Sequence, residues 1–293
     1  MIEYSRNSWW RTTFTLHGTV LPAVLGRVGL LTGFSLALCV VNEYVLRRFD
    51  HQLPALDQLG HSVLGMALSM LIVFRTNASN NRYWEGRQCW GAIVNASRNL
   101  ARLGAVYAGP AEELAGLISA YVVAVRANLR GAADLSEIHH FVPGYVAQQA
   151  AVAGSPPTML AMFISQWIQR RRQAGVIDVY QSLAMEEALS RMIDNQGGCE
   201  RIQKTPLPFV YAALIKQILL VYLFSLPFVL VAKMGFAAPT VVAVVALGML
   251  GIEEAGVEVE DPFGTEPNSL PLEEICDTIV RDVHQLCVPA ATH

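Results

Sequence analysis

The sequence predicts an all-α membrane protein with four transmembrane helices and a large helical region outside the bilayer. Three observations predict it. Of 293 residues, 53% are hydrophobic and only 15% charged, whereas ordinary soluble domains are roughly 45–50% apolar and about 25% charged. Four apolar stretches have helical rather than strand length. No segment alternates β-branched residues between turns, as strands require.

The first stretch runs without a charge from Val28 to Asn42 and stays apolar to Leu46; the second is Leu59 to Phe74. The third is Ile218 to Ala232, preceded by the apolar Pro208 to Ile215, and the fourth is Ala237 to Ile252, closed by Glu253 and Glu254. A charge-free core of this length rises about 23 Å against about 30 Å of hydrocarbon, so each span needs one polar or snorkelling residue at an end. Polar residues inside them, such as His61, Ser62, Ser69 and Gln217, point to a bundle with a protein-lined interior.

Four spans place both termini and the long central connection on one face of the membrane. Arg6, Arg11, Arg75, Arg281 and the twelve basic residues from Arg82 to Lys204 fall there, whereas the other face has only Arg47, Arg48 and Lys233. Basic loops stay inside, so both termini and the central region are expected in the cytoplasm, with the spans in the cell's inner membrane. Arg6, Trp9, Trp10 and Arg11 precede an apolar region too long for a cleaved leader.

The central region reads as helices. Trp90, Ile93, Val94, Ser97, Leu100 and Ala101 recur at helical spacing, as do Leu114, Leu117, Ile118, Tyr121, Val122 and Val125. Breaks are expected at Gly109-Pro110, Arg130 to Ala133, Pro143-Gly144, Ser155 to Pro157 and Gly197-Gly198. After a turn-rich stretch from Asp261, Ser269 offers a cap to a last helix. Its apolar face is Leu272, Ile275, Cys276, Ile279, Val283 and Leu286, expected to pack on the central helices. The chain thus divides into 1–84 (N-terminal segment and spans one and two), 85–205 (cytosolic helices), 206–257 (spans three and four) and 258–293 (cytosolic turn and helix).

Several chemistries are excluded. A net charge of -3 gives no electrostatic footprint for nucleic acid. Five scattered cysteines, without a CxxC pair, read as reduced thiols rather than a disulfide framework. There is no GxSxG, P-loop or HExxH motif, and neighbouring His139 and His140 cannot share a metal on one helix face. The carboxylates near Asp261 offer oxygen ligands to a hard cation, with Glu260 and Asp261 as candidates, but lack the spacing of an EF-hand loop and read equally as turn chemistry. Lys216 is either an ion-path residue or a side chain snorkelling to the cytoplasmic interface. Gly29 and Gly33 form a GxxxG, and Ser62, Gly65 and Ser69 form a small stripe suited to helix packing. Met66, Met70 and Phe74, at i, i+4 and i+8, make a second face about 12 Å long. By itself it reads as core, as lipid contact or as a channel lining.

Beyond these readings, "FRTNASNNRYWEGR" (Phe74 to Arg87), "GGCERIQKTPLPFVY" (Gly197 to Tyr211) and "GIEEAGVEVEDPFGTEPNSLPLEEIC" (Gly251 to Cys276) resemble the bestrophin family, especially its bacterial members, in order and spacing over nearly the whole chain. The resemblance implies a homopentameric ion channel with four transmembrane helices per subunit, embedded in membrane lipid and catalysing no reaction. It implies a pore neck at Met66, Met70 and Phe74 and a cytosolic aperture on the helix after "RRRQAG", at Tyr180 with Ile177 as competitor. The permeant ions are small and monovalent, chloride or another anion by resemblance, with a cation such as sodium as the other class. Pro262-Phe263-Gly264 is followed by Thr265, Glu266, Pro267 and Asn268 in place of the dense acidic run of calcium-binding members, so no cofactor is expected and calcium is disfavoured. The rival reading is a membrane-anchored interaction scaffold without conduction.

Overall fold

The computed structural model describes residues 9–51, 53–132 and 134–288, with the side chains of Arg11 and Thr12 left aside. Arg6 and both extreme ends, used above for topology, lie outside the described residues. Ten α-helices account for most of the described chain: α1 (Trp9–Thr13), α2 (Leu21–Val40), α3 (Gln58–Tyr107), α4 (Glu112–Leu129), α5 (Gly144–Val152), α6 (Pro156–Gln173), α7 (Val179–Lys204), α8 (Phe209–Met234), α9 (Ala238–Glu258) and α10 (Leu272–Cys287). No strand occurs among the described residues.

The helices form two compact units, each drawn from separated stretches of sequence. The first takes the chain up to Tyr83, Pro206–Asp261 and Glu266–Asn268; the second takes Trp84–Thr205, Pro262–Thr265 and the rest from Ser269.

In the first unit one core joins four helices: Val24, Val28 and Leu31 of α2, Leu68 and Ile72 of α3, Leu219, Leu223 and Leu226 of α8, and Val242, Ala246 and Leu250 of α9. Three helical stretches here are long and apolar enough to cross a membrane: Leu21–Phe49, Gln58–Tyr107 and Phe209–Glu258. The first continues past α2 as a π-helical turn, Val41–Leu46, and a 3-10 turn, Arg47–Phe49. The third holds two helices, since Gly235, at φ 51°, ends α8 and three residues later α9 begins. That positive φ is open to glycine without strain. In lipid such a bundle gains from close packing rather than from escaping water, which makes the small contact residues important. A Cβ at Gly65 would meet the Tyr222 hydroxyl at 2.7 Å, and one at Gly256 would meet Thr76 Oγ1 at 3.2 Å.

In the second unit α4 is the centre. Every residue from Leu114 to Val125 is buried, as a helix apolar on all sides must be. It packs on α6 and α10, and each large aliphatic side chain wholly removed from water there contributes about 1.5–3 kcal/mol. The tail helix is tied down: Cys276 Sγ donates to the Val122 carbonyl at 3.6 Å, and Arg130 of the α4 end pairs with Glu273.

Three expectations need correction here. Gly197 and Gly198 do not break the chain; both lie inside α7, because a neighbouring side chain occupies the place of a Cβ at Gly198. On α10 it is Cys287, not Leu286, that completes the buried face: Leu286 is 43% exposed and Cys287 2%. In addition, α10 starts without a side-chain cap, Pro271 holding the cap position and Ser269 lying buried just before it.

Candidate functional site

The membrane-length part of α3 has two unlike faces. Gly65, Leu68, Ile72, Arg75 and Ser79 are buried, in alternating steps of three and four, which is the spacing of one helix face. The first four are held by specific neighbours. One turn above Gly65, His61 stacks on Tyr222 with ring centroids 4.3 Å apart, and its Nε2 lies 3.1 Å from Ser225 Oγ. Leu68 and Ile72 fill the core. Below them the Arg75 guanidinium donates to Glu253 at 2.5 Å and to Glu260 at 3.4 Å. The side chains of Arg75 and Glu253 are 6% and 2% exposed.

The opposite face is largely open. Met66, Met70 and Phe74 are 76%, 60% and 59% exposed, and Val63 and Val73 beside them are also open. Ser62 and Ser69, expected to pack beside Gly65, are exposed as well; their hydroxyls turn back to the carbonyls of Gln58 and Gly65, both at 2.8 Å. Only Gly65 of that stripe is at a helix contact, because Ser62 and Ser69 lie on its flank away from Leu68 and Ile72, toward Met66. Past Phe74 the outward side turns polar, with Asn77, Asn80 and Asn81 exposed.

The remaining sequence candidates are dispersed. Tyr180 is 83% exposed on the first turn of α7, while Ile177 is 3% exposed and packed inside. Asp178 and Gln181 form a reciprocal capping box beneath that turn, with hydrogen bonds of 2.7 and 2.9 Å. Glu260 is engaged by Arg75 and by the Leu207 N–H at 3.3 Å, and Asp261 follows it in an exposed position. Glu258 accepts from Asn268 at 2.8 Å. No group of three His, Cys, Asp or Glu side chains among the described residues is arranged to hold a metal. His139 and His140 close an exposed 3-10 turn. Lys216 reaches to 3.9 Å from Glu253 with its side chain 56% exposed, and Arg27 pairs with Glu254 at 2.7 Å.

Sequence reasoning missed the Arg75–Glu253 pair. The signal was present in part: one apolar stretch ends in an arginine and another in glutamates, and in a low-dielectric bundle such ends are best satisfied by each other.

The bacterial and fungal bestrophin model matches residues 1–285. The chain belongs to the bacterial and fungal bestrophin family. This bestrophin is 33% identical to a voltage-dependent anion channel-forming protein of Nostoc sp., over 96% of its own length and 92% of the relative's. It is 34% identical to a protein of the same description from Synechocystis sp., over 95% and 91%. A crystal structure of a bacterial bestrophin homolog from Klebsiella pneumoniae superposes with a TM-score of 0.84 at 24% identity, covering 91% of this chain and 99% of that one. The bestrophin fold is thus shared although three residues in four differ.

Proposed function

We propose that this bestrophin is an anion channel of the cell's inner membrane and not an enzyme. In this reading α2, the first part of α3, α8 and α9 are four membrane spans, both termini face the cytoplasm, and five copies surround a central pore. Its neck is made by Met66, Met70 and Phe74, and a cytosolic aperture by Tyr180.

The observation that carries the reading is the bare strip on α3. A large apolar strip on a helix that is otherwise packed requires an explanation, and lipid alone explains it less well than a shared axis does, because polar Asn77, Asn80 and Asn81 continue the outward side of the same helix. Five such strips would form a constriction with no ligand for an ion, which gates by losing its water. Methionine side chains bend more easily than branched or aromatic ones, so this neck should wet more readily than a purely aromatic one. The naming of two relatives as anion channel-forming proteins supports the charge preference, and the excess of Arg and Lys in the central region supports the orientation.

The test is a reversal-potential measurement on the purified protein in a planar bilayer under a potassium chloride gradient. An anion channel reverses near the chloride equilibrium potential. Reversal near the potassium potential would overturn the anion assignment, and absence of current would overturn conduction in favour of a scaffold.

A further inference from the structure

All five cysteines are free thiols, and three of them are occupied by backbone. Cys39, Cys276 and Cys287 each donate to a carbonyl, those of Gly235, Val122 and Ala101, at 3.2, 3.6 and 3.6 Å. The other two face each other from different helices of the second unit. Cys89 stands on the later part of α3, and Cys199 lies within α7. The helices meet here because residue 198 has no side chain: a Cβ at Gly198 would lie 2.9 Å from Cys89 Sγ. The Cys89 sulfur therefore rests on the α7 backbone one residue from Cys199, and each thiol is near enough to act on the other's proton.

Their access to solvent differs. Cys199 is fully buried, whereas Cys89 is half-buried. Burial raises both thiols: it pushes Cys199 well above its ordinary range, whereas at Cys89 burial and Glu85 are opposed by Cys199 and Arg201, so Cys89 is the more readily deprotonated of the two. Glu85, one turn before Cys89, pairs with Arg201 at 2.6 Å, and both side chains are exposed to solvent.

We propose that Cys89 and Cys199 are a redox-modifiable dithiol that hydrogen peroxide closes into a disulfide joining α3 to α7. Cys89, the accessible member, gives its proton to solvent and its thiolate attacks one peroxide oxygen. The O–O bond breaks, leaving Cys89 sulfenic acid and hydroxide, which takes up the proton as water. The Cys199 sulfur then attacks Cys89 Sγ; the S–O bond breaks, and hydroxide leaves with the Cys199 proton as a second water. Two thiols are oxidised and one peroxide is reduced to two waters, with no other reactant. Since Cys89 Sγ already rests against the α7 backbone beside Cys199, bridging calls chiefly for side-chain rotation. The bond would tie the helix bearing Met66, Met70 and Phe74 to the helix bearing Tyr180.

The experiment uses the purified full chain in detergent, treated with hydrogen peroxide, alkylated, digested with trypsin and mapped by mass spectrometry. The expected product is the peptide Gln88 to Arg98 linked to Met192 to Arg201, with loss of alkylation at both cysteines and recovery after reductant. In the Cys199→Ser protein, where the bridge cannot close, dimedone should instead trap the Cys89 sulfenic acid. Recovery of both peptides fully alkylated after peroxide, or either cysteine bridged to a third, would overturn the proposal. The readout is chemical and independent of whether the protein conducts.

Discussion

Replacing Arg75 by methionine should weaken the first unit by an amount the structure bounds. The guanidinium and the Glu253 carboxylate are 2.5 Å apart and nearly sealed from solvent, at 6% and 2% exposure. Removing one member of such a pair costs about 3–5 kcal/mol, because the other charge stays buried without compensation. Glu253 would keep one weak partner, Lys216 at 3.9 Å with its own side chain 56% exposed, and a half-solvated pair of that kind returns less than about 1 kcal/mol. The net loss is therefore near the lower bound, about 3 kcal/mol, equivalent to roughly 6–12 °C at about 2–4 °C per kcal/mol for a unit of this size. The assay is the apparent melting temperature in detergent, followed by intrinsic tryptophan fluorescence. The double replacement Arg75→Met with Glu253→Leu should recover most of the loss, since a buried ion pair exchanged for well-packed apolar side chains is often neutral. If Arg75→Met melts together with the parent protein, or if the double variant is worse than the single one, the pair does not hold α3 against α9 and the reasoning fails.

Two further predictions concern the pore and the second unit. Converting Met66, Met70 and Phe74 together to alanine should raise conductance or open probability in a planar bilayer, since in the proposed neck three water-expelling side chains would be shortened at once; unchanged currents from the triple variant would defeat the neck assignment. Gly116→Ala should destabilise by about 1–3 kcal/mol, because its new methyl would run into the backbone carbonyl of Phe141, which no rotamer change can move; Gly197→Ala, with open space around it, should be neutral or slightly stabilising, and melting curves of the two variants separate the cases.

What could be read from the sequence is what repeats along one helix. The apolar runs, the period of Leu114 to Val125 and the i, i+4, i+8 spacing of Met66, Met70 and Phe74 each depend on residues a few positions apart, and the helices containing them were identifiable for that reason. Features set by distant neighbours were not. Arg75 and Glu253 are 178 positions apart, so nothing local marks them as partners. Gly197 and Gly198 carry a turn signal by composition, yet α7 runs through them, since what glycine supplies there is room for Cys89 rather than freedom of the backbone. The fate of Leu286 and Cys287 turned on a rotation of one residue at a helix end, where periodicity fixes the face least well. The unbroken run of α3 from Gln58 to Tyr107 had a trace in the sequence, which offers no paired glycine or proline between Phe74 and Gly109.

The reciprocal hydrogen bonds between Asp178 and Gln181 reach beyond their own turn. Helix ends ordinarily fray, and a bulky group carried there would sweep a cone of positions. Here two of the loose backbone donors, those of Asp178 and Gln181, are fastened by each other's side chains, so the turn that carries the ring of Tyr180 has a fixed root. At the proposed aperture, an obstacle mounted in that way would select by size with a sharp threshold rather than a blurred one.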